Sequence, residues 1–182
     1  VLRNMSDAEQ TTILEKYGLN KDNYAVSVCR IEPENNCHVV LEGFAKNGMP
    51  LAYIGNWDRS EYGRTLKEKY SKYSNIHILD PIYDLDILYA LRNNAKVYIH
   101  GHSVGGTNPS LVEAMFFAKP IIAYNVVYNR ETTNNQASYF DNADQLDLLL
   151  RDVSAESGSQ MLKFAEANYT WKHIAKLYES LY

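Results

Sequence analysis

The chain has 182 residues, 46% of them hydrophobic and 22% charged, and a formal net charge of −4. That length suits one domain with a core of its own, and that composition excludes a disordered chain. The mildly acidic balance gives no reason to expect nucleic acid or an anionic membrane as partner.

In chain order, Ser6-Asp7-Ala8-Glu9 has the spacing of a capping box, and Ile13, Leu14 and Tyr17 give the helix after it one apolar face. "YAVSVC" (24–29) reads as a buried strand. A helix follows over about 35–47, with Val39, Val40 and Phe44 inward and Gly48 as its stop. "PLAYIG" is a second strand, and the helix near 60–73 buries Tyr62, Leu66, Tyr70 and Tyr73. "NIHIL" is a third strand, and Leu85, Leu88 and Leu91 share a face of a helix over 84–94. "KVYIH" (96–100) is a fourth strand, followed by a helix over 109–118, then "KPIIAY" and "ASYF" as fifth and sixth strands. Helical patterns at 142–152, 155–167 and 170–181 close the chain.

Short apolar strands alternate with helices and lack polar alternation, so they are parallel and covered on both faces. The expected fold is α/β: a Rossmann-like, doubly wound parallel sheet in a single domain. No apolar run approaches the ~18 residues of a membrane span, and no signal peptide is present. The chain starts at Val1 without an initiator methionine, which fits a piece of a longer protein. Cys29 lies in an apolar run and Cys37 in a helical one. They read as buried or idle thiols, and a reducing cytoplasm suits them. The tyrosines, fifteen in all, are scattered and form no binding stripe.

Gly101-His102-Ser103-Val104-Gly105 matches the G-x-S-x-G nucleophile elbow of α/β-hydrolases. In an elbow the helix runs on directly from the serine, which would put Pro109 in a helix interior at a cost of roughly 3 kcal/mol. A helix that begins at Pro109 removes the conflict, with Asn108 as its N-cap and Leu111, Val112, Met115 and Phe116 as its buried stripe. Only His173 follows Ser103 as a base, inside a helical pattern of its own. Residues 101–107 then form a glycine-rich loop before a helix start, where bare backbone N–H groups suit phosphates. Thr107 adds a hydroxyl. Glu113, a turn into the helix, can accept hydrogen bonds from both hydroxyls of a ribose.

The run "HSVGGTNPSLVEAMFFAKPIIAY" resembles the donor-binding segment of retaining glycosyltransferases of the GT-B fold, family GT4, whose pattern is E-G-F-G-x-P-x-L-E-A-M followed by G-x-P-V-I-A. "VCRIEPENN" is similar to the family's G-R-L-x-x-E-K-G. "NIHILDPIYDLDILYALRNNAKVYI" and "NYTWKHIAKLYESLY" are similar to two further segments, in the family's order. The resemblance implies that residues 1–182, including C-terminal helices at about 142–182, are the nucleotide-sugar-binding domain, and that an N-terminal acceptor domain is absent from the chain. It implies transfer of a sugar from a nucleoside diphosphate sugar to an acceptor hydroxyl, in polysaccharide or cell-envelope glycan synthesis. The expected location is the cytoplasm, at the inner face of the membrane for the longer protein.

Position by position, Arg30, Asn35, Gly105, Gly106, Thr107 and Asn108 fall at the donor diphosphate, Glu113 at the ribose, and Ile82 where main-chain groups read the base. His102 is placed to touch the sugar. Asn35 replaces the family's lysine, and Gly105 replaces the first glutamate of its E-x7-E motif. These two departures keep a non-catalytic nucleotide-sugar-binding domain open beside the enzyme, and the serine hydrolase stays as the other alternative. No metal or other cofactor is expected: "DLD" (84–86) reads as a helix cap at Asp84, and His100-x-His102 lacks a third ligand. The polar run "NRETTNN" (129–135) reads as a loop after the fifth strand, either bordering the donor sugar or solvated.

Overall fold

The computed structural model of the chain describes residues 3–154 and 156–180. Six strands, β1 (Ala25–Val28), β2 (Leu51–Ile54), β3 (Ile76–Leu79), β4 (Val97–His100), β5 (Ile121–Tyr124) and β6 (Ser138–Phe140), form one sheet in the order β3-β2-β1-β4-β5-β6. Every neighbouring pair is parallel. This is the expected doubly wound arrangement.

Nine α-helices among the described residues connect and cover the strands: α1 (Asp7–Lys16), α2 (Cys37–Asn47), α3 (Glu61–Tyr70), α4 (Leu85–Asn93), α5 (Pro109–Met115), α6 (Val127–Thr132), α7 (Ala143–Arg151), α8 (Glu156–Asn168) and α9 (Trp171–Glu179). Side chains alternate between sheet faces with period two. Ala25, Leu51, Tyr53, Val97 and Ile99 join a core with Phe44, Leu66 and Leu146 of α2, α3 and α7. Val26, Ala52, Ile54, Tyr98 and Ala123 join a second core with Leu14, Leu91, Leu111 and Met161 of α1, α4, α5 and α8. Both faces are therefore dry, which is why the strands carry no polar alternation.

The local signals act as read. Ser6 and Glu9 close the capping box on α1. Asp84 accepts from the amides of Asp86 and Ile87 and caps α4. Gly48 ends α2 in the left-handed region. Three expectations need correction. Leu85 does not share the buried face of α4 but is 59% exposed, because the inward residues there are Ala90, Leu91 and Arg92. The helix at 109 ends at Met115 rather than 118: Ala118 has φ +52, and Pro120 disfavours helical backbone at Lys119 before it. Residues 129–135 are not a plain loop, since α6 occupies 127–132 and buries Asn129 and Thr132. The chain ends of the last two predicted helices, at 155 and 181, lie outside the described residues.

Candidate functional site

Parallel strands place all their C-terminal ends on one rim. The strand order reverses between β1 and β4, and ligands of open α/β sheets bind at such a switch point. Two loops meet there, residues 29–36 after β1 and residues 101–108 after β4. Hydrogen bonds join them closely. Asn36 Nδ2 donates to the Gly101 carbonyl at 2.8 Å. The Ser103 amide and hydroxyl both donate to the Glu34 carbonyl, at 2.8 and 2.9 Å. A Cβ on Gly101 would lie 2.1 Å from the Asn35 carbonyl oxygen, so only glycine fits where the loops cross.

Asn35 is 4% exposed. Its Nδ2 donates to the Arg30 carbonyl at 2.8 Å, which leaves Oδ1 as an acceptor for His102 Nδ1, also at 2.8 Å. The proton of His102 is thereby fixed on Nδ1, and Nε2 is left as the open nitrogen. A side chain at position 105 would begin 3.9 Å from that Nε2. Burial and these two bonds make the Asn35 side chain a clip between Arg30 and His102.

The serine hydrolase reading fails on geometry. The Ser103 hydroxyl donates to a carbonyl, and α5 starts six residues later, at Pro109. Asn108 caps that helix: its Oδ1 accepts from the Ser110 amide at 3.0 Å and the Ser110 hydroxyl at 2.7 Å. Gly105 has φ +99, a conformation that suits glycine, and Val104, Gly105, Gly106 and Thr107 are exposed. His173 lies in α9, its amide bonded to Thr170 Oγ1. From the far side, Asn129 Nδ2 of α6 donates to the His102 carbonyl at 2.8 Å, and the Tyr128 hydroxyl to the Ser103 carbonyl at 3.3 Å. The polar run at 129–135 thus contributes, through Asn129 and with the adjoining Tyr128, a strut under the glycine turn.

Arg30 and Ile82 line one cavity of about 270 Å³ at the ends of β1, β2 and β3, with Arg59 beside them. The Arg30 side chain is 68% exposed, its nearest carboxylate being Glu34 at 3.9 Å. Thr107 and Glu113 instead border a larger, mostly apolar hollow of about 1000 Å³ that reaches Phe116, Trp171 and Ile174. Of the predicted residues, Arg30 and Ile82 thus line one hollow and Thr107 and Glu113 another. Sequence reasoning missed Arg59, Asn129 and Arg92, whose Nη1 lies 2.9 Å from Glu113 Oε2.

Two buried groups near the site have displaced ionisation. Burial, reinforced by neighbouring His102, pushes His100 down to about 3, and its Nε2 has no hydrogen-bond partner among the described residues. The Cys29 thiol is held well above its ordinary value, first by its hydrogen bond with Cys37 and then by burial. Neither cysteine is in a disulfide. Among the described residues no group of three or more His, Cys, Asp or Glu converges as a metal site, and no helix is long and apolar enough to cross a membrane.

Solved structures share this architecture. A glycosyltransferase from Rickettsia africae superposes with a TM-score of 0.81 at 16% identity, over 98% of this chain and 52% of that one. HepE of Anabaena, solved in complex with UDP, gives 0.77 at 14% identity over 97% of this chain and 53% of its own. The C-terminal domain of LpcC, a glycosyl transferase group 1 family protein of Francisella tularensis, gives 0.66 at 13% identity over 89% of this chain and 93% of that domain. This chain therefore spans about half the length of the first two and nearly all of the isolated domain. No curated protein matches it in a sequence search.

Fold and rim together define a Rossmann-like domain with the architecture of the isolated C-terminal domain of LpcC. The model of the family Glycosyl transferases group 1 matches residues 9–171, and the chain belongs to that family.

Proposed function

We propose that this chain is the donor-binding domain of a retaining, GT4-type glycosyltransferase. The longer protein transfers a sugar from a nucleoside diphosphate sugar to an acceptor hydroxyl, with the acceptor held by a preceding domain. One observation carries the reading: the two loops at the switch point are joined and present an exposed Arg30 and a capped, glycine-rich turn on the same rim. HepE, a structural neighbour, is solved with UDP and with UDP-glucose, which supports a nucleotide sugar as the ligand here.

In this reading the amides of Gly105, Gly106, Thr107 and Asn108 and the guanidinium of Arg30 meet the charge that develops on the departing β-phosphate. Donors fixed before reaction lower the barrier because they need no reorganisation as the charge appears. Glu113 takes the ribose, main-chain groups at Ile82 the base, and His102 Nε2 the sugar. Asn35 acts indirectly, by fixing Arg30 and His102. No metal or cofactor has a step in this scheme. Polysaccharide or cell-envelope glycan synthesis in the cytoplasm, at the inner membrane face, is the setting proposed for the whole protein.

Isothermal titration of the 182-residue chain with UDP, dTDP and GDP, each with and without a sugar, tests the reading. Weak binding of one nucleotide and no sugar transfer are expected. No heat from any of them, with a folded sample, overturns it. A second reading, a nucleotide-sugar-binding domain without catalysis, rests on Gly105, which brings no carboxylate to the sugar. Binding without turnover by the longer protein would select it.

A further inference from the structure

Arg92 sits on a helix but is only 8% exposed. Arginine is almost never buried unless paired, and here the partner is Glu113: Nη1 and Oε2 are 2.9 Å apart. The pair borders a cavity of about 360 Å³ between α4 and α5. The Glu113 side chain keeps 39% of its surface and also faces the larger hollow beside Thr107 and Ser110. One carboxylate oxygen is thus anchored to a buried cation, while the group as a whole opens onto the rim.

Stability is a poor reason for this arrangement. A buried ion pair is often matched or surpassed by apolar residues of similar volume. Arg92 adds a further cost, because its Nε is buried without a hydrogen-bond partner among the described residues, and an orphaned buried donor is destabilising. What the guanidinium supplies is direction: a planar, rigid donor set that holds a carboxylate in one orientation.

We propose that Arg92 is a positioning residue that grips Oε2 of Glu113 and turns its other oxygen toward the ribose hydroxyls of the donor nucleotide. This rests on the proposed role of Glu113 and extends it. Without the grip, the three-torsion side chain of Glu113 samples several rotamers, and the ribose must select one of them.

The test is titration of the wild-type chain, Arg92→Met, Arg92→Lys, Glu113→Gln and the Met/Gln double variant, each checked for folding by circular dichroism. The probes are UDP and GDP with their 2′,3′-dideoxy counterparts, and dTDP with its 3′-deoxy counterpart. The wild type is expected to prefer the hydroxylated form of its best nucleotide by about tenfold. R92M and E113Q each reduce that preference to about twofold or less while leaving affinity for the deoxygenated form unchanged. The double variant loses no more than E113Q alone, and R92K retains about threefold.

R92M that keeps the tenfold preference, or that weakens both forms by one factor, overturns the positioning role. If R92M does not fold, R92K with an undiminished preference overturns it instead. A preference that survives E113Q fails the ribose assignment beneath it. A folded wild-type chain that binds none of the probes brings down the proposed function and this inference together.

Discussion

Replacing Asn35 tests the frame of the site more sharply than any other single change. Asn35→Ala removes the donor to the Arg30 carbonyl and the acceptor for His102 Nδ1, both bonds of 2.8 Å at a side chain that is 4% exposed. Unpaired buried polar groups cost about 1–3 kcal/mol each, and His102 is half-buried, so water recovers part of its share; the sum is roughly 3 kcal/mol. At ~2–4 °C per kcal/mol for a chain of this size, the melting temperature falls by about 6–12 °C. Asn35→Lys, which restores the residue typical of the resembling family, fares worse still, because it places an ammonium in a dry site. Thermal melts by circular dichroism, with titration of UDP, dTDP and GDP at 20 °C below each midpoint, read both effects. The expected result is a lower midpoint and weaker diphosphate binding for both variants. If N35K melts with the wild type and binds diphosphate more tightly, residue 35 faces the ligand and the clip does not exist.

Gly101→Ala drives a Cβ to 2.1 Å from the Asn35 carbonyl oxygen, so the loops must separate; a loss of about 1–3 kcal/mol or more in urea unfolding is expected. Ser103→Ala removes one hydroxyl bond to the Glu34 carbonyl and costs about 1 kcal/mol. A fluorophosphonate should leave Ser103 unlabelled in the folded wild type, since that hydroxyl has no imidazole partner and serves the loop junction. His100 is held neutral down to about 3, against 6.5 for the unperturbed group, so below 6.5 the unfolded chain binds the extra proton. Its contribution to stability is complete above pH 6.5 and is lost as pH falls toward 3, at about 1.4 kcal/mol per pH unit. His100→Phe should remove that slope from urea midpoints measured between pH 6 and pH 4, and a slope unchanged by the substitution refutes the burial argument.

The fold was legible because its signals are local. Capping at Ser6 and Asp84, the stop at Gly48, and the pair Asn108-Pro109 each depend on residues within one turn, and each acts as its sequence suggests. The candidate site could be read from the chain only where it copies a linear pattern, which is the basis of the roles proposed for Arg30, Glu113 and the turn at 105–108. The contacts of Asn35, Asn129 and Arg92 were not legible because their partners stand far away in the chain: His102 lies 67 residues from Asn35 and 27 from Asn129. Arg92 reads in sequence as an ordinary helical charge, and nothing nearby announces that it faces inward. Polarity misled again at α6, where Asn129 is buried because it donates to the His102 and Tyr124 carbonyls.

The seam between residues 34–36 and 101–103 has a mechanical consequence. Fastened side chain to backbone, those two segments form one stiff girder across the middle of the sheet rather than two independent flaps. Their disorder is given up once, when the chain folds, and need not be surrendered again at each encounter with a guest. In the proposed function, recognition on this rim proceeds by fit to a standing shape, and a defect on either side of the seam blunts both.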